Sequence, residues 1–539
     1  APGLPPGVPG AAVPGCTAAV SVACEIAPDG SLTVRGTADA LLAAGLLAAV
    51  CGLLDGMDAD AVAGRVDAGT VADRLGLRDV LSRGRLDGVG GIVRTVQEQI
   101  RALRAARDVP PGPAGDASAV PRRPRVAVLL SGGVDSAVAL HLLLRDGTYD
   151  VVAFYLKIWL EDELSHLGEC PWEDDVAVCR RLCADAGVPL ETVSLQDEYA
   201  ETVLAYTVGE AGAGRTPNPD VLCNRRVKFG TFLEYLDRRP AGTGFDRVAS
   251  GHYAAVLPPR AGDGEGGGVY RLGRGADPVK DQSYFLSTLT QRQLARALFP
   301  LGRYTKPEVR ALATELGLVN SGRPDSQGLC FLGKVKFEQF LESYLGTREG
   351  DIVDASTGDV VGRHRGIWFH TVGQRKGLGR SMEVHANAHG PWYVVAKDPA
   401  RDVVFVSNRY HEGEFERDRS EFEVEDVHWI AGRPDLLAHD RPVRLDMKIR
   451  HGPRIVAGTL ALAAGGDAGG RVVLEDPDGG LAPGQFVAFY RPDDPAAECL
   501  GAGVIGDGHW LRFTEEGREG KMPPRAGTDN SGGENGAVL

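Results

Sequence analysis

Val126-Ala127-Val128-Leu129-Leu130-Ser131-Gly132-Gly133-Val134-Asp135-Ser136 decides the fold. Five apolar residues without alternation read as a strand buried on both faces, the usual state of a parallel sheet. The Gly-Gly turn then hands the chain to a helical pattern over Val134–Leu144, and a second apolar run follows at Val151–Leu156. Strand, tight turn, helix and strand in that order predict a doubly wound parallel sheet. Two glycines let the backbone approach an anion closely, and the helix start adds unpaired N–H groups. Ser131 and Ser136 add hydroxyls, but the turn lacks the lysine of the common phosphate loop. Nucleotide binding without γ-phosphate transfer is the expectation, against the plainer reading of a glycine turn feeding a helix. Ser250-Gly251-His252-Tyr253, after another apolar stretch, would be a second contact in the same crevice.

The rest of the chain is organised around this unit. Its 539 residues suggest several domains, and 43% hydrophobic with 24% charged residues is ordinary for a globular protein. A net charge of −14 argues against general polyanion binding, so contact with nucleic acid must come from local basic patches. Nine cysteines are too few for a disulfide framework and suit a reducing compartment. The apolar run Ala40–Leu54 is too short to span a bilayer and reads as a buried helix. Composition shifts divide the chain into an Ala/Gly/Leu-rich α+β domain (1–108), a Pro/Gly linker (109–124), the parallel-sheet domain (125–335), a small central α+β domain (336–412), a C-terminal β-barrel (413–513) and a polar tail (514–539) expected to be disordered. Within the barrel, Val443, Leu445, Met447 and Ile449 alternate with Arg444, Asp446 and Lys448, a half-buried strand with a charged outer face. With Arg441, Arg450 and Arg454, this strip is expected to pair phosphates, against the plainer reading of a solvated strand face.

Two cysteines stand in polar settings. Cys223 ends Thr216-Pro217-Asn218-Pro219-Asp220-Val221-Leu222-Cys223, where two prolines fix an extended approach and Asp220 shares a helical face with the thiol. Arg225, Arg226 and Lys228 follow and would favour thiolate. Cys330 sits in Asp325-Ser326-Gln327-Gly328-Leu329-Cys330-Phe331-Leu332. The bland reading of each is a core thiol, the usual fate of an unbridged cysteine. Cys170, Cys179 and Cys183 invite a metal reading, but Cys179 and Cys183 have helical spacing and no second ligand pair stands out, so a core helix is expected.

The set SGGVDS (131–136), NPDVLCN (218–224), SGHYA (250–254), KDQSYFL (280–286), DSQGLCFL (325–332) and GQRKGLG (373–379) resembles the tRNA-specific 2-thiouridylase family of the ATP-pyrophosphatase superfamily, in unbroken order over about residues 125–507. The resemblance implies 2-thiolation of a wobble uridine: ATP, with magnesium, adenylates the ring carbonyl oxygen and sulfur displaces AMP. It implies ATP contacts at Ser131, Gly132, Gly133, Val134, Asp135, Ser136, Leu156 (where the family commonly has Met) and Gly251. It makes Cys330 the persulfide carrier, Cys223 the partner nucleophile and Asp220 the acid/base, and leaves direct persulfide attack or released sulfide open. An iron–sulfur cluster on the two cysteines is the lesser alternative. It gives tRNA contacts, on the anticodon arm, to Asn218, Pro219, Asp220, His252, Lys280, Asp281, Gln282, Arg450, His451 and Gln485.

Residues 1–108 lie outside that resemblance. Val13-Pro14-Gly15-Cys16, a strand-like stretch, the long apolar helix, Leu75–Leu81 and Ser82-Arg83-Gly84-Arg85 are similar in order to the SufE-type sulfur-acceptor domain without its first part, with Cys16 at the persulfide position. A cysteine desulfurase as sulfur donor, and a bacterial cytoplasm or plastid stroma, are what this implies. Tethering donor and acceptor on one chain raises their mutual concentration to roughly millimolar. The rival readings are another ATP-pyrophosphatase ligase, for which no ammonia-supplying glutaminase pattern is seen, and a non-catalytic sulfur carrier or tRNA-binding scaffold, which would not need an intact SGGVDS turn.

Overall fold

The computed structural model describes residues 11–12, 20–26, 31–38, 41–66, 68–76, 89–100, 122–158, 172–240, 242–257, 268–325, 335–378, 382, 390–413, 415, 419–437, 441–463, 469–494 and 496–508. Residues 1–121 and 122–539 form separate compact units. Cys16, Cys170 and Cys330 lie outside the described residues.

In the first unit, β1 (Ala11–Ala12), β2 (Val20–Ile26) and β3 (Leu32–Ala38) form an antiparallel sheet. Helices Leu41–Leu54, Ala59–Arg65, Ala68–Arg74 and residues 89–100 accompany it. Val22, Val34, Val50, Leu54, Val96 and Ile100 share one core. Gln99 ties the last helix to β2, its amide accepting from Cys24 N–H at 2.8 Å and donating to the Val22 carbonyl at 2.7 Å.

The second unit opens with the expected parallel sheet. Its strands are β4 (Arg125–Leu129), β5 (Asp150–Lys157), β6 (Leu190–Ser194) and β7 (Arg247–Ala249); after the hairpin β8 (Ala254–Leu257) and β9 (Arg271–Arg274) comes the edge strand β10 (Ala297–Leu298). The order is β10-β7-β4-β5-β6, all parallel. The chain leaves β4 toward β5 and β6, then returns to β7 on the other side. This reversal opens a crevice at the carboxyl ends of β4 and β7, where a parallel sheet binds ligands. Both sequence-marked turns, Ser131–Ser136 and Ser250–Tyr253, leave from those two strand ends.

The central sheet has the order β12-β11-β14-β13, with β11 (Gly350–Asp354), β12 (Val360–His364), β13 (Tyr393–Asp398) and β14 (Val403–Ser407). Beyond it, β15 (Glu421–Trp429), β16 (Val443–Lys448), β17 (Val456–Leu462), β18 (Gly469–Leu474), β19 (Phe486–Tyr490) and β20 (Glu498–Ile505) close into a barrel, because β15 pairs with both β18 and β20. Closure is tight: a Cβ on Gly501 would stand 2.0 Å from the His428 carbonyl oxygen. The hairpin β8–β9 from the parallel-sheet region joins the same sheet, β9 pairing with β20.

Strand β16 corrects the expected charged outer face. Leu445, Met447 and Ile449 point into the core, but Lys448 is also fully buried. Three of the other cations have acidic partners from other elements: Arg444 with Glu475, Arg450 and Arg454 with Asp478. A strip that faces only Asp446 in sequence is largely neutralised in the fold.

In the central domain, burial beside His364 and the Lys397 ammonium pushes the His370 pKa down to about 3. Its folded value is below the unfolded one near 6.5. From pH 6.5 down to 3 the unfolded chain takes up a proton that the folded chain refuses, so stability falls as pH falls in that window and is unaffected above it. Denaturant titrations from pH 7 to 4 should show the decline, up to about 1.4 kcal/mol per pH unit for one such group. His370→Gln should reduce the slope by that one group's share, with His252 still contributing; an unchanged slope would show that other groups control acid sensitivity.

Candidate active site

The Ser131–Ser136 turn is built largely from its own atoms. Gly132 takes φ +73°, a left-handed conformation that side-chain-bearing residues rarely adopt. The Ser136 hydroxyl donates to the Gly133 carbonyl at 3.1 Å and accepts from Ser131 N–H at 3.2 Å. Helix Val134–Asp146 has no side-chain cap, which leaves its first N–H groups able to bind an anion. A Cβ on Gly251 would stand 2.8 Å from the Ser136 nitrogen, so glycine there lets the β7 turn press on the start of that helix. Its part in the site is close packing rather than a side-chain contact.

The lysine missing from the turn arrives from a distant segment. Lys306 Nζ lies 2.7 Å and 2.9 Å from the two Asp135 carboxylate oxygens and 2.8 Å from Asp325. Asp135 also accepts from the Tyr253 hydroxyl at 2.8 Å. Lys280 reaches the other Asp325 oxygen at 2.7 Å, and Arg310 pairs with Asp325 as well. These three cations hold the Asp325 carboxyl well below the usual carboxylate range, against its partial burial. The stem formed by residues 306–325 also grips Gly132: Asn320 Nδ2 and Arg323 Nη1 donate to its carbonyl at 2.9 Å and 3.2 Å, and Arg323 pairs with Asp175. Sequence reading missed Lys306, Arg310, Asn320, Arg323 and Asp175. None belongs to a local motif, and only the fold brings them to the turn.

Asn218 caps the short helix Pro219–Leu222, accepting from Val221 N–H at 3.4 Å. Asp220 on that helix is half-exposed, and Cys223, just beyond it, is buried. Cys223–Thr231 continues as a π-helix, a rare wide turn often found at functional sites. Its Phe229 packs against His252, with ring centres 6.3 Å apart, while Ser250 Oγ and His252 Nδ1 are 2.7 Å apart. The turn after β7 therefore touches both the Ser131–Ser136 turn and the helix begun by Cys223. Burial, with the Lys228 ammonium, lowers the His252 pKa and keeps the imidazole neutral at neutral pH.

The residues expected to hold RNA divide. Lys280 and Arg450 are partly exposed, and the His451 ring lies 5.2 Å from that of Phe285. Asp281 does not fit a surface contact and is corrected to an internal role: it is 1% exposed and paired with the buried Lys448 at 2.9 Å. Gln485 spends its amide inside the protein, donating to the Thr216 and Pro217 carbonyls at 2.9 Å each and accepting from Asn218 Nδ2 at 3.2 Å. Gln282 accepts from Tyr253 N–H at 3.0 Å. Leu156 is partly buried and packed against the main core. Cys179 and Cys183 are buried on helix Trp172–Ala186, and burial raises their pKa values to about 12 and about 11, as fits core thiols.

Residues 124–334 match the tRNA methyl transferase HUP domain, 338–408 the tRNA methyl transferase PRC-barrel domain, 419–505 the aminomethyltransferase beta-barrel domain and 8–100 the Fe-S metabolism associated domain SufE. Along 70% of its length the chain is 40% identical to tRNA-specific 2-thiouridylase MnmA 1 of Bacteroides thetaiotaomicron, covering 99% of that protein. The chain belongs to the tRNA-specific 2-thiouridylase family. MnmA of Porphyromonas gingivalis is 41% identical over 71% of this chain, and that of Parabacteroides distasonis 40%, each covered to 99%. The thiouridylase portion is therefore matched end to end, with the SufE match on the preceding residues. Among solved structures, the U34-tRNA thiolase NcsA of Methanococcus maripaludis with its [4Fe-4S] cluster aligns at 18% identity over 42% of this chain and 64% of that one, with a TM-score of 0.25, too low to bear on this site. Among the described residues, no helix is long and apolar enough to cross a membrane.

Gly251→Ala tests the packing of the two turns. The added methyl must displace the Asp135–Ser136 backbone, so KM for ATP should rise about tenfold, equivalent to roughly 1.4 kcal/mol, with KM for tRNA nearly unchanged. Equal ATP saturation curves for the variant and the native chain would remove Gly251 from the nucleotide site.

Proposed function

We propose that this thiouridylase-family chain converts the wobble uridine of tRNA to 2-thiouridine, using ATP and a sulfur relay carried on its own cysteines. ATP lies along Ser131–Ser136, with its phosphates at the start of helix Val134–Asp146; Asp135, which Lys306 and Tyr253 hold, would be the carboxylate nearest its magnesium ion. The uridine O2 attacks the α-phosphate and pyrophosphate leaves, which makes C2 electrophilic. The terminal sulfur of a Cys330 persulfide attacks C2, and AMP departs with the former carbonyl oxygen. Cys223 then attacks Cys330 Sγ, releasing the thiolated base and leaving a Cys223–Cys330 disulfide for an external dithiol to reduce. In the alternative order, Cys223 first frees hydrosulfide, which attacks C2. Asp220 moves the proton in either order. Asn218–Asp220 hold the splayed base, and His252, Lys280, Gln282, Arg450 and His451 hold the anticodon arm around it.

The observation that carries this reading, beside family membership, is the Lys306 bridge. It pairs Asp135 of the nucleotide turn with Asp325, and Cys330 follows Asp325 by five residues. Even fully extended, that length of chain reaches about 17 Å. Chain length alone keeps Cys330 within that distance of Asp325, which supports its delivering sulfur to this site.

The SufE match supports Cys16 as the entry point for sulfur from a cysteine desulfurase. The described thiols of that unit are poor rivals, since Cys24 and Cys51 are buried, with pKa values raised by that burial to about 12 and about 11.

Nucleoside mass spectrometry of tRNA incubated with ATP and a sulfur donor tests the reaction. Cys330→Ser should abolish 2-thiouridine while leaving tRNA-dependent pyrophosphate release measurable; undiminished thiolation by that variant would refute the assignment. Cys16→Ser should keep activity with free sulfide and lose most of it with desulfurase plus cysteine. Equal loss with both donors would make Cys16 a structural residue.

A further inference from the structure

Resting on the tRNA reading above, we propose that Asp281 and Lys448 are positioning residues. Their buried ion pair holds the barrel against the catalytic domain so that Arg450 and His451 meet the anticodon arm at the thiolation pocket. Both side chains are fully buried, with Lys448 Nζ 2.9 Å from Asp281 Oδ2. Arg274 Nε lies 3.2 Å from the same oxygen. The other oxygen accepts from Gly275 N–H at 3.1 Å, Ser283 N–H at 3.2 Å and the Ser283 hydroxyl at 2.8 Å. Tyr490 of the barrel extends the clasp, its hydroxyl 2.9 Å from Ser283 Oγ. One consistent polarity runs from Tyr490 O–H to Ser283 O–H to Asp281. Both oxygens of the buried Asp281 carboxylate are thus taken up inside the clasp.

What the clasp sets is the start of the loop after β16. Lys448 is the last residue of the strand, and Arg450 and His451 follow after the buried Ile449. His451 meets Phe285, four residues beyond Asp281. The Phe285 carbonyl accepts from Asn224 Nδ2 at 3.1 Å, and Asn224 adjoins Cys223. A buried, ion-paired anchor of this kind specifies one docking geometry, because any slip strands a charge without solvent. Sequence position alone would place Asp281 with its neighbours Lys280 and Gln282 on the RNA; its burial assigns it to the joint instead.

The test is tRNA binding by filter retention, with saturation curves for tRNA and ATP. Lys448→Met should weaken tRNA binding about tenfold and leave KM for ATP within about twofold, as expected for a change confined to one partner's contact surface. His451→Ala should weaken binding in the native background and add little in the Lys448→Met background, since residues acting through one geometry are not additive. Native tRNA affinity in folded Lys448→Met, a parallel rise in both KM values, or an equal His451→Ala cost in both backgrounds would each overturn the inference. If Lys448→Met does not fold, Tyr490→Phe removes only the hydroxyl; it should weaken tRNA binding in the same direction, and native affinity in that variant would count against the clasp. Binding is read without chemistry, so a chain that holds tRNA but forms no 2-thiouridine would sink the proposed reaction and leave this inference standing.

Discussion

Lys306 joins the two halves of the site through one ammonium group. It is 13% exposed, so its pairs with Asp135 and Asp325 operate in a poorly solvated setting where charge interactions are stronger than on an open surface. An anionic turn residue and an anionic stem residue would otherwise repel, and the stem leads directly to the segment bearing Cys330. Asn320 and Arg323, which follow helix Lys306–Glu315, donate to the Gly132 carbonyl, so the nucleotide turn is held both at a side chain and at its backbone by residues 306–323. The joint brings together residues 171 apart in sequence. A motif reader sees a phosphate turn without a lysine; the fold supplies one from elsewhere.

Much of the architecture was legible because its signals are local. The unbroken apolar run before Ser131 and the glycine pair after it predict strand, turn and helix, and the structure has them at Arg125–Leu129 and Val134–Asp146. The alternation around Leu445 and Met447 gives the barrel strand. Strand β15 is harder to read for a physical reason: its pairing with β20 shifts between Glu425 and His428, where Asp426 takes φ +49°, and the shift breaks the two-residue period. Lys448 misled for the opposite reason. Its position obeys the alternation, and its burial depends on an acid supplied by another domain.

The site was legible in part. The turn residues and the Asn-Pro-Asp segment announce themselves by composition, since backbone geometry needs glycine and proline at set places. Charge partners do not, because an ion pair leaves no local pattern. Among the RNA candidates, side-chain chemistry alone ranks Asp281 and Gln485 with Lys280 and Arg450. The fold separates them: Asp281 is buried and Gln485 spends its amide on internal hydrogen bonds, while Lys280 and Arg450 retain exposed side chains.

The β8–β9 hairpin belongs in sequence to the nucleotide domain and in space to the barrel's sheet, where β9 lies against Glu498 and Cys499 of β20. Glu498 is bound from both sides, by Arg271 on β9 and by Arg491. The barrel is therefore a poor unit for modular exchange. Excision near residue 418, or grafting onto an unrelated enzyme, would strip the hairpin away, leaving raw amide groups along part of β20 and a carboxylate short of one guanidinium. Such a fragment would invite strand-to-strand association with its own copies, so recombination at this seam must carry residues 254–274 along with the C-terminal half.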